Sequence, residues 1–390
     1  MQPFEFRTVI FNSHDVILLM TAMQCLFFGA LLYITNTHRI KSTFFLTAFL
    51  LAHALIPLNE LMMWGAEFKF LVRREWPELH FIPELAYYVD GALLFLCIKS
   101  LVFKDFSLKK VDLLHLLPLV VYVAFISTTF YSHSFEQRQE MLNNESFIYS
   151  ASYVSVDFLC KLVRVFYAIA CLIMIIKYKH LLQNTKSTIE KAHINWLKGL
   201  VIGFMIVMLS ETLLAAVKVI NLFEHFQGGV FVYIGLTGNY ASFILVNLLV
   251  FTAIRYFLTF EQVTDEEPAK KPIDDQFVNP EVAAEVDAEM LKSKAYMEPD
   301  ITLDKLAESL SISPRDLSML INRHFGINFY EFINKYRIEE AKKMLVDPEH
   351  KNTTITDIYL AVGFNSKSVF YTFFKKLENV TPSQFRQSSV

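Results

Sequence analysis

Asp157, Lys161 and Arg164 stand at i, i+4 and i+7 inside an otherwise apolar stretch, so they share one helix face. Ionisable groups in such surroundings are costly and are retained for pairing or for a ligand. With Asp90 and Glu211 they suit an outward-open pocket for a polar or anionic ligand, or else a set of interhelical pairs that merely holds a bundle together. A second constellation lies near the carboxyl end. Between Gly363 and Leu377 there is no acidic residue, and Lys367, Ser368, Tyr371, Thr372, Lys375 and Lys376 take the outward positions of one helix. Ammonium groups and hydroxyls on a single face suit phosphate oxygens and base edges. Catalysis is not expected: His53, His80, His115, His133 and His225 are scattered over different depths and loops, with no clustered nucleophile and base. Cys25, Cys97, Cys160 and Cys171 all lie in apolar runs without metal-ligand spacing, so no metal, cofactor or disulfide framework is expected.

The elements that position these residues fall into two regimes. The chain of 390 residues is 54% hydrophobic with a mean hydropathy of +0.36, which points to the membrane class. From Val16 to Phe257 the apolar residues gather into long runs; from Glu261 onward charges recur every few residues. The net charge of -3 is uninformative about nucleic acid, because clustering of Lys and Arg matters more than their total. Seven segments qualify as spanning helices, at roughly 16–35, 43–64, 85–103, 113–130, 153–176, 196–219 and 230–257. The first is too long for a signal-peptide core and lacks a cleavage motif, so it is expected to be retained.

Basic residues set the direction. The loops after the first, third and fifth spans carry Arg39 and Lys41, then Lys104, Lys109 and Lys110, then Lys177, Lys179, Lys186 and Lys191. In the loops after the second and fourth, Lys69, Arg73, Arg74 and Arg138 are offset by carboxylates, and the loop after the sixth has no basic residue between Asn221 and Gly229. The positive-inside bias then places the N-terminus outside and the tail in the cytoplasm of a bacterial inner membrane, reached by a multi-pass bundle held in membrane lipid. On that orientation Asn59, Glu60, Asp90, Asp157, Lys161, Arg164, Glu211, Lys218 and Asn239 lie mostly at mid-depth or in the outer half. A retinal-type Lys is missing from the last span, and no repeat or broken-helix pair suggests a transporter.

The expected domains are a seven-span sensor over 1–260, a linker over 261–280 and a helical domain over 281–390. The linker is acidic and holds Pro268 and Pro272; about 20 flexible residues reach roughly 25 Å. Pro280 then opens a short helix whose Val282, Val286 and Met290 pack onto its own domain or, as the alternative, form a dimer seam. Thr302 caps a helix with Leu303, Leu306, Ala307 and Leu310, and a tight turn leads to the Ser313-Pro314 start of a second. Leu317, Leu320 and Ile321 face inward there, Arg315, Ser318, Met319 and Asn322 point away, and Gly326 ends the element. The phrase recurs. Thr354 and Asp357 resemble a capping box, Gly363 makes the turn, Ser366 caps the next helix, and Phe370, Phe373 and Phe374 stand where Leu317, Leu320 and Ile321 stood. Between the units Asn328 caps a helix that Asp347-Pro348 stops, about 27 Å long at the usual rise. That spacer suits two reading helices about 34 Å, one DNA turn, apart.

The run ITLDKLAESLSISPRDLSMLINRHFGINFYEFINKYRIEEAKKML, followed by ITDIYLAVGFNSKSVFYTFFKK and TPSQFR, resembles the DNA-binding domain of AraC/XylS transcription regulators over about the last 90 residues. The resemblance implies that both second helices enter successive major grooves of double-stranded DNA. Arg315, Ser318 and Met319, and Ser368 and Thr372, then fall at base-facing positions, while Lys367, Lys375 and Lys376 face phosphates. It also implies action as a homodimer or on paired sites. Tyr359 stands where the family has a small residue at the helix crossing, where it would open the crossing angle; Ser311 and Asn379 replace usual glycines. Met319 and Thr372 replace frequent arginines, which removes two bidentate contacts to guanine and implies weaker or more shape-dependent recognition. The expected fold is all-α: a seven-helix transmembrane bundle plus a cytoplasmic helical domain with two helix-turn-helix units. The expected function is a membrane-embedded one-component transcription regulator that senses an unknown signal ligand. The alternative is a receptor or transporter whose tail recruits a protein.

Overall fold

The structure, a computed structural model, describes residues 11–35, 40–189, 191–224, 228–256, 262–263 and 280–388. Among the described residues nine α-helices come first: α1 (Ser13–Thr35), α2 (Ile40–Trp64), α3 (Phe68–Glu75), α4 (Asp90–Val102), α5 (Leu117–Ile126), α6 (Phe135–Asn143), α7 (Ala151–Thr185), α8 (Lys191–Ile220) and α9 (Gly228–Tyr256). The tail adds α10 (Pro280–Ser293), α11 (Leu303–Ser309), α12 (Pro314–Arg323), α13 (Phe329–Val346), α14 (Ile355–Ala361), α15 (Lys367–Glu378) and α16 (Pro382–Ser388). Among the described residues there is no strand, and the fold is all-α. By their internal contacts the residues form two compact units, 1–176 with 192–265, and 177–191 with 266–390.

Among the described residues 7 stretches are long and apolar enough to cross a membrane: Ser13–Ile34, Lys41–Trp64, Pro77–Val102, Lys110–Tyr131, Ala151–Thr185, Ala192–Ile220 and Phe231–Thr252, the fifth continuing past Ile176 into the segment grouped with the second unit. All are shifted by some residues from the expected bounds, and in three the course differs for local reasons. The third opens with 3-10 turns at Pro77–Leu79 and Pro83–Tyr88, each started by a proline that lacks a helical N–H, before α4 proper begins. The fourth is composite, a 3-10 stretch over Lys110–Leu116, then α5, then a π-turn over Ser127–Tyr131. The fifth, α7, runs unbroken to Thr185, since no glycine or proline interrupts it.

The third stretch is 72% buried within the unit, the fourth and seventh only 17%. The outward residues of the fourth are nonetheless Leu113, Leu114, Leu117, Val120 and Val121, all more than half exposed. A core of Phe81, Tyr88, Tyr122, Phe130, Phe147 and Tyr153 closes one end of the bundle through stacked and edge-on rings, with Tyr88 and Tyr122 centroids 4.1 Å apart. Of the expected linker, Gln262, Val263 and Pro280 are described, and Val263 pairs in an isolated parallel bridge with Phe103; the rest lies outside the described residues.

In the second unit the caps form as their residue types dictate. Thr302, Ser313, Asn328 and Thr354 each accept a hydrogen bond from the backbone N–H three residues on. Ser366 departs from expectation: it holds the N-cap position of α15, but its hydroxyl meets that of Ser368 at 3.1 Å and makes no cap bond. The α10 residues Ala283, Val286 and Met290 pack with Leu306, Ala307, Leu317, Leu320 and Ile321 in one core, so this helix belongs to its own domain. Ser311 and Asn379 take left-handed conformations at φ 55° and 60°, the backbone region that ordinarily favours glycine. Tyr359 stays half-buried and lies against Phe370 at 5.8 Å between ring centroids, occupying the crossing that a small residue would leave open.

The connector α13 packs against both helix pairs and carries a buried arginine. Arg337, 1% exposed, donates to the carbonyls of Tyr296 at 2.7 Å, Glu298 at 2.7 Å and Pro299 at 3.1 Å, and meets the Asn334 side chain at 3.4 Å. Burial lowers its pKa to about 10, so it stays protonated at neutral pH. The same clasp explains Gly363. At φ 94° a Cβ there would stand 2.6 Å from the Met297 carbonyl oxygen and 3.1 Å from Arg337 Nε. Gly363→Ala combines an unfavourable φ with a backbone clash and is expected to cost upwards of about 2 kcal/mol. Gly326→Ala, at φ 68° with nothing within 4 Å of its Cβ, suffers the φ strain alone, about 1 kcal/mol. Denaturant unfolding of the two variants checks the difference; equal losses would show that the clasp does not constrain Gly363.

Candidate nucleic-acid interface and a polar cavity

Each helix pair presents its second helix outward. Leu317, Leu320 and Ile321 of α12, and Phe370 and Phe374 of α15, are at most 1% exposed, which turns the opposite faces to solvent. On α12 Arg315 and Asn322 are exposed and Met319 is half-buried. Ser318 differs from its expected outward place. It is 8% exposed, because the Asn322 amide folds back onto its carbonyl at 2.8 Å and its hydroxyl at 3.3 Å. Asn322, one turn later, covers it.

On α15 Lys367, Ser368, Thr372, Lys375 and Lys376 are exposed and Tyr371 is half-buried. The Lys367 ammonium lies over the Tyr371 ring at 5.5 Å, and the Thr372 hydroxyl donates back to the Ser368 carbonyl at 2.7 Å. Lys376 is bound to Glu331 of α13 at 2.7 Å, so its charge is partly neutralised. Asn365, just before α15, ties to Asp300 at 3.1 Å and joins the turn of the second pair to the entry of the first. Sequence reasoning passed over Arg337 and Asn334, the residues that hold the two pairs on their connector. A signal was present: Phe329, Ile333, Arg337, Ala341 and Leu345 recur every four residues, which sets the arginine in the middle of an apolar row.

In the first unit the charged residues of α7 separate into two groups. Arg164, 1% exposed, bonds Asp90 through Nε at 2.9 Å and through a second nitrogen at 2.6 Å, and also holds Glu211. His53 stands 3.9 Å from the same Asp90 carboxylate, and Asp90 itself is 0% exposed. Arg164 and Asp90 therefore form a closed pair inside the bundle. Asp157, Lys161 and Glu211 instead line a cavity together with Asn59, Glu60, Glu84, Tyr87, Tyr153 and Lys218. Lys161 pairs with Asp157 at 3.6 Å and lies over the Tyr87 ring. Glu60 accepts from the Tyr87 hydroxyl at 3.1 Å, and Glu84 from that of Tyr153 at 2.8 Å. Asn59 is 4% exposed, and among the described residues its Oδ1 has no hydrogen-bond partner. Glu60 and Lys218 also line a more apolar cavity of about 350 Å³ with Leu18, Trp64, Leu214 and Phe231.

Residues 306–388 match the family model of a helix-turn-helix domain. An uncharacterised HTH-type transcriptional regulator of Bacillus subtilis is 33% identical over 90 residues, 23% of this chain and 11% of that protein. A second such regulator, from Staphylococcus aureus, is 36% identical over 91 residues, again 23% of this chain and 12% of the relative. The match thus spans about an eighth of the length of the curated relatives. No solved structure matches the chain. The carboxyl-terminal part carries an AraC-type helix-turn-helix domain, preceded, among the described residues, by seven helices long and apolar enough to span a bilayer.

The closed pair in the bundle gives a direct test. Arg164→Leu strands Asp90 as a buried carboxylate and is expected to destabilise the bundle by about 3–5 kcal/mol. Arg164→Leu with Asp90→Asn should recover a large part of that loss. Thermal unfolding of the purified variants in detergent measures the coupling; additive losses would mean that Arg164 and Asp90 do not act as a pair.

Proposed function

We propose that this chain is a membrane-embedded one-component transcription regulator. The bundle takes up a signal and the tethered tail engages promoter DNA through α12 and α15. The observation that carries this reading is the joining, in one polypeptide, of an AraC-type helix-turn-helix domain to a bundle whose outward faces are apolar. Leu113, Val111 and Phe251 are 66%, 70% and 81% exposed; faces of that kind are stable against lipid chains and not against water. The bias of basic loops supports an outer N-terminus and a tail beside the chromosome.

Within the tail, Arg315, Met319 and Asn322 of α12 and Ser368 and Thr372 of α15 are proposed to meet base edges. Lys367 and Lys375 are proposed to meet phosphates, with Lys376 a weaker contributor because Glu331 competes for it. The signal site is proposed in the polar cavity. Its lining offers Glu60, Glu84, Asp157 and Glu211 against Lys161 and Lys218, and the unpartnered Asn59 oxygen adds another acceptor. That balance suits a small polar ligand that brings hydrogen-bond donors or positive charge, in place of the anion considered from sequence.

The purified full-length protein should retain a subset of fragments from a genomic library, with log affinity falling linearly against log salt. Lys367→Ala and Lys375→Ala should each reduce the slope by about 0.9, and Lys376→Ala by less. Thr372→Ala should change which fragments are kept more than how tightly they are held. Retention of no fragment, together with recovery of a stoichiometric protein partner on the tail, would replace this reading with a receptor that recruits protein.

A further inference from the structure

The segment that follows α7 belongs by its contacts to the carboxyl-terminal unit. Lys186 pairs with Thr302 in an isolated antiparallel bridge, and the Ser187 N–H donates to the Ile301 carbonyl at 3.3 Å. Ser187 is 1% exposed. Its carbonyl accepts from the Asn334 amide at 3.3 Å, and its hydroxyl lies 3.4 Å from both Arg337 and the Pro299 carbonyl. The Thr188 hydroxyl donates to the same Pro299 carbonyl at 2.7 Å, and Ile189 is 9% exposed. Every partner named is either in 299–302, the entry to α11, or on the Asn334 and Arg337 face of α13.

We propose that the surface formed by residues 299–302 and this face of α13 is a docking site whose occupant is segment 186–189 of the same chain, and that its occupancy stiffens the spacing of α12 and α15 for two-groove binding. The inference rests on the DNA reading above for its consequence, though not for the docking itself. The docked groups keep other partners. Asn334 also bonds the Tyr330 carbonyl at 2.7 Å, and Arg337 holds Tyr296 and Glu298 through its shortest bonds, both 2.7 Å. Departure of the segment therefore leaves the core and the clasp intact, while the 299–302 entry loses the bonds that fasten it from outside. Such an element can shift between two states without unfolding the domain. The segment also has a defined driver: α7, which bears Asp157, Lys161 and Arg164, runs as one helix to Thr185, the residue before the bridge. A shift of that helix reaches the docking site through continuous hydrogen-bonded backbone.

The test uses the full chain in lipid nanodiscs. Residues facing one another across an antiparallel pair have Cα atoms about 4.5–5.5 Å apart, within disulfide range, so Lys186→Cys with Thr302→Cys can be locked by oxidation. The four native cysteines, Cys25, Cys97, Cys160 and Cys171, are buried. Ser187→Pro removes the N–H that bonds Ile301 and releases the segment. Two probes are used: a duplex of about 40 base pairs taken from the retained fragments, and one of about 12 base pairs that offers a single groove. The oxidised protein should hold the long duplex at least about tenfold more tightly than Ser187→Pro, and the two should bind the short duplex alike. Hydrogen exchange of amides 299–302 should be slower in the wild type than in Ser187→Pro. Oxidised and reduced double-cysteine protein are one polypeptide, so a fold defect in Ser187→Pro cannot imitate the effect. Equal affinity for the long duplex in locked and released forms would overturn the spacing role, and equal exchange over 299–302 would overturn the docking. Loss of DNA binding in every form, wild type included, would overturn the DNA reading and the spacing role together, with the exchange data deciding the docking separately.

Discussion

A guanidinium taken out of water must find acceptors for its N–H groups, and each unit of this chain is built around one that has. Arg164 and Arg337 are both 1% exposed, and they solve the problem differently. Arg337 uses backbone carbonyls. To reach them, residues 296–299 must lie along α13, which brings the Met297 carbonyl to the place a side chain would fill at position 363. Glycine is the one residue that fits there, so the turn of the second helix pair is set by a cation in the connector. Phe364, next along, lies 5.6 Å below the guanidinium and carries the constraint into the core of the second pair. Entry, connector and second turn are thereby one mechanical piece, and the reading helices inherit their separation from it.

Arg164 uses carboxylates instead, as a buried cation must where the surrounding helices offer no free carbonyl. Its bonds to Asp90 and Glu211 join three separate helices at one point. This has a chemical consequence for the neighbouring cavity. With Arg164 committed, the basic groups left to line it are Lys161 and Lys218, against Glu60, Glu84, Asp157 and a shared Glu211. An acceptor-rich lining with an unpartnered amide oxygen is a poor host for an anion. The structural pair thus decides the polarity of the cavity beside it: of the α7 charges, Arg164 is committed to pairing, while Asp157 and Lys161 line the cavity.

Much of this was legible in advance. Seven apolar runs, the recurring cap and turn residues, and the aligned inward positions of α12 and α15 gave the all-α architecture and both helix pairs, because periodicity and capping are local properties. Interactions that depend on distant backbone were not legible. The burial of Ser318 arises from a side chain one turn away folding back, the idle hydroxyl of Ser366 from a neighbouring serine that competes for it. The place of Arg337 in an apolar row was open to reading, but its acceptors were not, because they are backbone carbonyls, which no residue type announces. The basic segment after α7 reads as a solvated loop for the same reason: Ser187 and Thr188 are held by Pro299, Ile301 and Asn334, all more than a hundred positions away. Unrelated to any of these, the prolines at 77 and 83 delay α4 in a way that hydropathy alone cannot resolve.

The two reading helices are chemically unequal, and that inequality fits a division of labour on DNA. The outward side of α15 combines Lys367 and Lys375 with small hydroxyl residues, while Glu331 of α13 engages the adjacent Lys376; on the proposed DNA reading, sequence-independent attraction to phosphate would dominate its hold on the duplex. The first turn of α12 sets Arg315 next in sequence to Asp316, which accepts from the Ser313 hydroxyl at 2.6 Å; the acid offsets the arginine's charge, and the distinctive groups are Arg315, a half-buried Met319 and the exposed Asn322. A guanidinium and an amide discriminate among base edges, and a thioether packs on a thymine methyl. Binding would then be held mainly by the second pair and selected mainly by the first. Such a scheme works only if their spacing is rigid, since affinity gained at one groove raises the effective concentration at the other only when the span between them matches the DNA. The buried arginine in the connector contributes one part of that rigidity, by tying residues 296–299 to α13.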